Sequence, residues 1–267
     1  MNYGFIGTGN MAGALVRALR QNVAADQVFL ANRTPEKARK LAEEVGATVT
    51  TNAEIARNCQ VIYLGVKPNM VQELLTGLAP ILKERTRDFT LISMASGVSL
   101  EELADYAGGA YPIIRIMPNT PAAVGAGMIL YCANAKVSQA SVADMLSSMA
   151  AAGRFDAIAE TQMDAGSAVA GCGPAFAYLF LEALADGGVE CGLSRRQAQE
   201  YAAQMVMGAA KLLLETGSHP GVLKDAVCSP GGSTIAGVHA LEDGAFRATA
   251  IHAVVAAYEK TRALGKG

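Results

Sequence analysis

Residues that build metal and redox sites are scarce in this sequence. The three histidines, His219, His239 and His252, lack the spacing of metal ligands. The cysteines are odd in number and form no C-x-x-C pair, so we expect reduced, mostly buried thiols. They are Cys59, Cys132, Cys172, Cys191 and Cys228. We therefore predict that the protein has no metal site.

Charge is also scarce, and neither sign dominates. The 267 residues include 22 Lys and Arg against 24 Asp and Glu, and only 17% are charged. Because there is no polybasic block, we expect neither nucleic acid nor an anionic membrane surface as a partner. Since 51% of the residues are hydrophobic, we expect the chain to cover further surface by contact with another subunit.

No hydrophobic run is long enough to predict a membrane span. The longest, Ala168–Leu181, contains two glycines and Pro174 and is shorter than a bilayer requires. The first residues show neither the basic start nor the apolar core of a signal peptide. We therefore expect a cytoplasmic protein.

Up to about residue 160, apolar strands alternate with amphipathic helices. One helix is predicted to begin at Pro35, with Thr34 as its N-cap, and to end at Gly46. The predicted strands are Tyr3–Ile6, Val28–Ala31, Val61–Val66, Thr90–Met94, Ile113–Ile116, Met128–Tyr131 and Arg154–Ala157. This alternation predicts an α/β domain over residues 1–160, with a doubly wound, mostly parallel sheet of the Rossmann type.

After about residue 160 the strand signals stop and helices follow. One helix is predicted over 174–186, broken by Gly187 and Gly188, and a second begins at Ser194 in an S-x-x-Q capping box. The second is apolar on nearly every side over 201–214 and must be buried all round. Because a domain of about 105 residues can hardly bury such a helix alone, we predict an all-α dimerisation domain over residues 161–267.

A glycine-rich turn follows the first predicted strand. It has the sequence Gly7-Thr8-Gly9-Asn10-Met11-Ala12, which is G-x-G-x-x-A between a strand and a helix. The first Gly allows the tight turn, the second lets a pyrophosphate approach the backbone, and the small third residue lets helix and strand pack closely. The helix start adds free N–H groups and a positive dipole end. We predict a dinucleotide site; an ordinary strand-to-helix turn is the alternative.

The residues after the second strand indicate which dinucleotide binds. NAD-binding units have Asp or Glu there, about 20 residues after the glycines, to accept hydrogen bonds from the ribose 2′-OH. This chain has Asn32, Arg33 and Thr34, with Lys37 one turn on. No carboxylate repels a 2′-phosphate, Arg33 can pair with it, and the two polar side chains can donate to it. We predict NADPH, with NADH possible; a solvated helix start is the alternative.

Further strand ends are expected on the same carboxyl edge of the sheet, where ligands bind. Val66-Lys67-Pro68, Ala95-Ser96 and Met117 are expected to contact the coenzyme. Lys67 could instead hold the substrate, and a solvated loop lysine explains it equally well. Asn119, close to two prolines, is expected to contact the substrate, with a structural Asx turn as the alternative.

A second glycine-rich turn, Ser229-Pro230-Gly231-Gly232-Ser233-Thr234, lies late in the chain. Two glycines before a helix expose successive N–H groups, which form a nest for a small carboxylate. The hydroxyls of Ser233 and Thr234 add donors. A serine N-cap with a flexible lead-in is the alternative.

These segments, in this order, resemble the pyrroline-5-carboxylate reductase family over essentially the whole chain. They include IGTGNMA at 6–12, VKP at 66–68 and RIMPNTPA at 115–122, and the most specific is SPGGSTIAG at 229–237, continuing through Leu241 and Glu242. The resemblance implies NAD(P)H-dependent reduction of 1-pyrroline-5-carboxylate to L-proline, the last step of proline biosynthesis. It also implies a Rossmann domain, a helical domain that interlocks with its partner's in a homodimer, and often a larger ring of dimers.

The resemblance also implies the site residues. The substrate carboxylate belongs on Gly231, Gly232, Ser233 and Thr234. Because the family commonly has Thr or Ala at Ser233, only Thr234 carries over as the hydroxyl near the ring nitrogen. The expected coenzyme contacts are Ile6, Gly7, Thr8, Gly9, Asn10, Met11, Asn32, Arg33, Thr34, Asn52, Val66, Lys67, Pro68, Ala95, Ser96 and Met117.

Imine reduction also suits the residues that are missing from the first C-terminal helix. A cyclic imine accepts hydride best once its nitrogen is protonated, so the site needs a well-placed donor and little water, not a strong general acid. Between Thr161 and Glu190 there is no Lys and no His. A β-hydroxyacid dehydrogenase, the nearest alternative, needs a base there, normally Lys. A non-catalytic NADP-binding sensor is a further alternative, but it would not need Ser229–Thr234.

Overall fold

The chain divides into two compact units in a computed structural model that describes residues 1–264. The first unit is formed by Met1–Cys172 together with the chain from Ala257. The second unit is Gly173–Ala256.

The first unit is built on one eight-stranded sheet. Its strands are Tyr3–Ile6 (β1), Val28–Ala31 (β2), Thr48–Val49 (β3), Val61–Leu64 (β4), Thr90–Ser93 (β5), Ile113–Met117 (β6), Gly127–Ala133 (β7) and Gly153–Ala157 (β8). The strand order is β3-β2-β1-β4-β5-β6-β7-β8, and every neighbouring pair is parallel except β6 and β7. The predicted doubly wound, mostly parallel sheet is therefore confirmed.

Helices cover both faces of this sheet. They are Asn10–Leu19 (α1), Pro35–Val45 (α2), Asn52–Asn58 (α3), Val71–Lys83 (α4), Leu100–Ala107 (α5), Gln139–Ser148 (α6) and Met163–Gly166 (α7). Successive side chains of a strand point to opposite faces of the sheet. On the face covered by α1, α2 and α6, Phe5 of β1 and Tyr63 of the neighbouring β4 stack with their ring centroids 4.4 Å apart. Ile62 and Leu64 pack on the other face with α3, α4 and α5. Burial on both faces explains why the strands are continuous apolar runs.

Three local predictions in this unit were incomplete or wrong. The two-residue strand β3 was not predicted, because it is short and both its residues are exposed. The fourth strand stops at Leu64, two residues before the predicted end. Thr34 occupies the N-cap of α2, but its side chain makes no capping hydrogen bond. Gly46 ends α2 in the left-handed region, as predicted.

The second unit is entirely helical. Its helices are Gly173–Glu190 (α8), Arg195–Thr216 (α9), Pro220–Ala226 (α10) and Ser233–Asp243 (α11), and Phe246–Leu264 (α12) begins in it. The predicted break at Gly187 and Gly188 is wrong, since α8 runs through both. A Cβ on Gly188 would lie 3.1 Å from the Cβ of Ala198, so this glycine lets α8 and α9 pack closely. The Ser194 hydroxyl accepts the predicted bond from the Gln197 amide, at 3.4 Å.

Large apolar side chains of the second unit remain at its surface. Over residues 173–256 the buried apolar side chains are three alanines, Ala185, Ala198 and Ala202. The exposed large ones are Tyr178, Leu179, Leu193, Tyr201, Met205, Met207, Leu212, Leu214, Val222, Val227, Ile235, Leu241, Phe246, Ile251 and Val255. One chain therefore leaves α9 largely uncovered, which agrees with the expectation that a second subunit covers it.

The stretch Glu160–Glu190 is helical over 31 residues, with a mean hydropathy of 1.5 in its most apolar window. By length and composition alone it could cross a membrane. The sequence-based expectation considered only the uninterrupted apolar run, which is shorter. This stretch includes a π-helical segment, Ser167–Gly171, just before α8.

Candidate active site

The first glycine-rich turn joins β1 to α1 and contacts the end of β4. Gly7 has φ +96°, and a Cβ on it would lie 2.6 Å from the carbonyl oxygen of Gly65. Gly65 in turn donates its N–H to the carbonyl of Ile6 at 2.8 Å. The strand order reverses between β1 and β4, and at such a switch point ligands bind to α/β sheets. Gly65 was missed from the sequence, although its position directly after a buried strand could have indicated it.

The other side of this turn is open. A Cβ on Gly9 would meet no described atom within 4 Å, although Gly9 has ordinary backbone angles at the N-cap of α1. The hydroxyl of Thr8 is buried and has no hydrogen-bond partner among the described residues. A cavity of about 290 Å³ borders the turn and is lined by Thr8, Gly9, Asn10, Gly13, Arg17, Lys37, Lys40, Leu41 and Glu44. An orphaned donor, a free helix start and basic side chains suit a pyrophosphate.

The basic groups near this cavity differ in their pairing. Arg17 forms a two-pronged ion pair with Glu44, at 2.6 and 2.7 Å, which holds the pKa of that carboxyl below its usual range. Arg33, Lys37 and Lys40 form no ion pair with a described residue. All three are exposed around the start of α2. They therefore remain available to an anionic ligand.

Asn32 follows β2, and its side chain binds backbone groups at both ends. Its Oδ1 accepts a hydrogen bond from the Thr8 amide at 3.0 Å. Its Nδ2 donates to the carbonyl of Thr34, also at 3.0 Å. Sequence reasoning treated Asn32 only as a donor to a 2′-phosphate and missed this bridge between two loops.

The other predicted coenzyme residues lie near strand ends on the same edge of the sheet. Val66, Lys67 and Pro68 follow β4, Ala95 and Ser96 follow β5, and Met117 is the last residue of β6. Asn52 is the first residue of α3, three residues after β3. Since these strands are parallel, the first unit brings the residues to one edge with the glycine-rich turn.

Asn119 is buried in the first unit and is engaged by two backbone groups. Its Oδ1 accepts from the Met128 amide at 3.0 Å, and its Nδ2 donates to the carbonyl of Ala170 at 3.0 Å. In an α-helix that carbonyl would receive the N–H of residue 174, but Pro174 has none. Asn119 therefore supplies the donor that proline lacks, instead of forming a local Asx turn. One Nδ2 hydrogen is left for another partner.

A partly buried ion pair in the first unit was not predicted from the sequence. Arg115 on β6 is 5% exposed, and its Nη1 lies 2.6 Å from Oε1 of Glu160. The same oxygen accepts the amide of Leu100 at the start of α5, at 2.7 Å. Glu160 thus ties the first turn of the 160–190 helical stretch to the sheet. No pattern in the sequence pairs these two distant residues.

The second glycine-rich turn lies in the second unit and starts α11. Gly231 has φ +68°, which favours glycine, and a Cβ on Gly232 would lie 2.3 Å from the Ser229 hydroxyl and 3.1 Å from the Ser229 carbonyl oxygen. The Gly232 amide donates to the Ser229 carbonyl at 3.0 Å and is not part of an open nest, contrary to the sequence-based expectation. The amides of Ser233, Thr234 and Ile235 are the ones that a helix start leaves without helical partners. No side chain caps them among the described residues.

The described residues include possible metal ligands and five cysteines. Within residues 1–264, no group of three or more His, Cys, Asp or Glu side chains could hold a metal ion. All five cysteines are free. Burial raises the pKa of Cys59 to about 12 and that of Cys132 to about 11.

Two family models match the chain. Residues 160–264 match the model for pyrroline-5-carboxylate reductase dimerisation. Residues 2–97 match a model described as NADP oxidoreductase, coenzyme F420-dependent. The apolar stretch 160–190 therefore lies in a segment that, in its relatives, serves dimerisation, and self-association is the explanation we adopt for its exposed surface.

Whole proteins also resemble the chain from end to end. It is 41% identical over 266 residues to the pyrroline-5-carboxylate reductase of Escherichia coli K12, covering 98% of each chain. The crystal structure of Plasmodium falciparum pyrroline carboxylate reductase with NADP bound is similar with a TM-score of 0.89 and 32% identity, over 99% of this chain and 98% of that one. The pyrroline-5-carboxylate reductase of Coxiella burnetii has a TM-score of 0.89 and 34% identity over 98% of each chain.

Proposed function

Because the chain belongs to the pyrroline-5-carboxylate reductase family, we propose that it reduces 1-pyrroline-5-carboxylate to L-proline with NADPH, the last step of proline biosynthesis. The observation that carries this proposal is the similarity over the whole length to reductases of that name. Both glycine-rich turns lie within the matched length. We propose a coenzyme-binding domain over residues 1–160 and a dimerisation and substrate domain over residues 161–267. The start of the matched dimerisation model at residue 160 supports this boundary.

The coenzyme is held mainly by the first glycine-rich turn. The amides at the start of α1 and the orphaned Thr8 hydroxyl face the pyrophosphate. Arg33, Thr34 and Lys37 hold the 2′-phosphate, and the absence of a carboxylate among 32–34 favours NADPH over NADH. The remaining contacts are Ile6, Gly7, Gly9, Asn10, Met11, Asn52, Val66, Lys67, Pro68, Ala95, Ser96 and Met117.

The substrate carboxylate is held by the second glycine-rich turn. Gly231 and Gly232 shape the turn, and the amides of Ser233 and Thr234 point to the anion from the start of α11. For the first unit by itself, we propose that Asn119 contacts the substrate with its remaining Nδ2 hydrogen, while its other contacts fix the backbone around it.

The chemistry requires little from the side chains beyond placement. When bound, NADPH supplies a hydride, which forms a C–H bond at the imine carbon while the C=N π electrons move to the nitrogen. The imine nitrogen enters the site already protonated. Thr234 therefore orients the nitrogen through a hydrogen bond and does not need to act as a general acid. The absence of Lys and His over 161–190 is consistent with this division of labour.

One pair of assays tests the proposal against its alternatives. NADPH absorbance is followed with 1-pyrroline-5-carboxylate, and NADP reduction is followed with 3-hydroxy acids. We expect NADPH consumption with the imine only. Reduction of NADP by the hydroxy acids would indicate a β-hydroxyacid dehydrogenase, and silence in both assays a coenzyme-binding sensor.

Thr234 is tested by two matched substitutions. Thr234→Val is nearly isosteric but cannot bond the ring nitrogen, so kcat/KM should fall by about 1–3 kcal/mol of transition-state stabilisation. Thr234→Ser keeps the hydroxyl and should retain most of the activity. Unchanged kinetics in Thr234→Val would remove this residue from the mechanism.

The assembly and its location complete the proposal. The dimerisation segment supports a homodimer, and we propose that dimers join in a larger ring, as is common in the family. The near-balanced charge argues against nucleic acid as a partner. We propose that the apolar surface of the second unit faces another subunit in the cytoplasm and not a membrane.

A further inference from the structure

Asn32 connects two loops that have different tasks in the proposed coenzyme site. Its Oδ1 accepts from the Thr8 amide in the glycine-rich turn, and its Nδ2 donates to the Thr34 carbonyl at the N-cap of α2. The two bonds also fix the orientation of the carboxamide, because an amide N–H can meet only its oxygen and a carbonyl can meet only its nitrogen. Each end of the Asn32 carboxamide therefore makes one bond to the protein backbone, and one Nδ2 hydrogen remains outside these bonds.

These two backbone bonds change what Asn32 contributes to coenzyme binding. The turn that contains Thr8 binds the pyrophosphate, which NADPH and NADH share. The segment that contains Thr34 precedes the start of α2, where Arg33 and Lys37 are exposed without ion-pair partners among the described residues. Because one carboxamide links both segments, displacing either segment displaces the other.

We infer that Asn32 is a positioning residue that couples the pyrophosphate turn to the 2′-phosphate segment, and that it is not itself a ligand of the 2′-phosphate. The inference rests on the proposed NADPH-dependent function. It separates Asn32 from Arg33, which faces the 2′-phosphate directly. Loss of Asn32 then weakens the binding of both coenzymes, whereas loss of Arg33 weakens only the binding of NADPH.

Aspartate at this position would separate the two bonds. A carboxylate oxygen can still accept from the Thr8 amide, but it has no hydrogen for the Thr34 carbonyl and repels it. Asn32→Asp therefore keeps the turn in place and releases the segment at the start of α2. It also places a carboxylate where NAD-binding units have one. We expect it to weaken NADPH binding and to leave NADH binding closer to that of the unmodified protein than Asn32→Ala does.

The test is a set of dissociation constants for NADPH and NADH, measured by calorimetry on the full-length protein. For Asn32→Ala we expect both constants to rise by about tenfold, because either coenzyme must then order a turn that the bridge no longer holds in place, with their ratio nearly unchanged. For Arg33→Ala we expect only the NADPH constant to rise, by about thirtyfold, because a charge-assisted contact is lost.

Asn134 provides a matched control for the loss of a bridging carboxamide. It accepts from the Ile113 amide at 3.2 Å and donates to the Tyr111 carbonyl at 2.8 Å. It follows β7, whose carboxyl end lies beside the amino end of β6, at the opposite edge of the sheet. Asn134→Ala should lower the melting temperature as Asn32→Ala does but leave both dissociation constants unchanged. This comparison distinguishes positioning from general stability.

Three results would overturn the inference. Asn32→Ala could weaken NADPH alone, as Arg33→Ala does, which would make Asn32 a ligand. It could leave both constants unchanged, or change them no more than Asn134→Ala does, in which case the bridge has no role in binding. If Asn32→Ala does not fold, Asn32→Ser, which also lacks the bridging carboxamide, takes its place in the same comparison of the two constants. Failure of the unmodified protein to bind either coenzyme would instead overturn the proposed function itself.

Discussion

The two compact units bury apolar residues to very different extents. The first unit has a core on each face of its sheet, with Phe5, Leu15 and Tyr63 on one face and Leu64 and Leu75 on the other, all fully buried. The second unit buries only alanines over residues 173–256 and leaves fifteen large apolar side chains exposed. Since apolar burial is the main favourable term in folding, the first unit gains more of this term from the single chain than the second unit does.

This difference also separates the two anion sites. The coenzyme turn sits on a sheet whose strands are buried on both faces, so its geometry depends on one chain. The substrate turn starts α11, which has no buried residue in the single chain. If the two turns hold substrate and coenzyme as we propose, the substrate site depends on association for its rigidity, whereas the coenzyme site does not.

The largest effect should come from a charge in the uncovered surface of the second unit. Leu212 on α9 is 51% exposed in the single chain, and Leu212→Glu should weaken self-association by more than about 3 kcal/mol because it removes apolar burial and buries a charge. Val49→Glu, at a similarly exposed site on β3, is the control and should leave the assembly intact. Sedimentation velocity measures both. Equal assembly of the two variants would contradict the contrast between the units.

The next effect concerns the coenzyme turn. Gly7→Ala should destabilise the protein by at least about 2 kcal/mol, because it combines a positive φ with a clash against the Gly65 backbone. Gly9→Ala should leave the melting temperature nearly unchanged, since its Cβ enters open space, but should weaken NADPH binding. Thermal melting and calorimetry separate the two effects. Normal coenzyme binding by Gly9→Ala would show that this open space is not the pyrophosphate site.

A smaller effect should appear in the helical stretch just before α8. Asn119→Ala removes the donor to the Ala170 carbonyl, and Pro174→Ala restores a backbone N–H that can replace it. We expect the double variant to be more stable than the sum of the single changes by about 1 kcal/mol. Urea unfolding of the four proteins measures this coupling. Simple additivity would mean that Asn119 does not compensate for the proline.

The smallest effect is a difference in thiol reactivity between the units. Burial raises the pKa of Cys59 to about 12 and that of Cys132 to about 11, so neither forms the reactive thiolate at pH 8. Both should resist iodoacetamide until the first unit unfolds, whereas the exposed Cys191 of the second unit should react in the native protein. Peptide mass spectrometry reports each site. Labelling of Cys59 in the folded protein would indicate that the core of the first unit opens and exposes this thiol.

Much of the fold and the family could be predicted from the sequence, because local patterns carry them. The parallel sheet follows from apolar strands that alternate with helices, and the coenzyme turn from its glycine spacing. The continuous helix through Gly187 and Gly188 was missed because the packing against Ala198 that explains Gly188 is not visible in the sequence. The Asn32–Thr8 and Asn119–Ala170 hydrogen bonds and the Arg115–Glu160 ion pair join residues far apart in the chain. No local pattern predicts such contacts.

Isotope transfer tests the central claim most directly. The protein is incubated with 1-pyrroline-5-carboxylate and NADPH that is fully deuterated at C4 of the nicotinamide, and the product is analysed by mass spectrometry. The account predicts L-proline with one deuterium on the former imine carbon, formed in proportion to the NADPH consumed. Unlabelled proline, or NADPH consumption without proline, would contradict it.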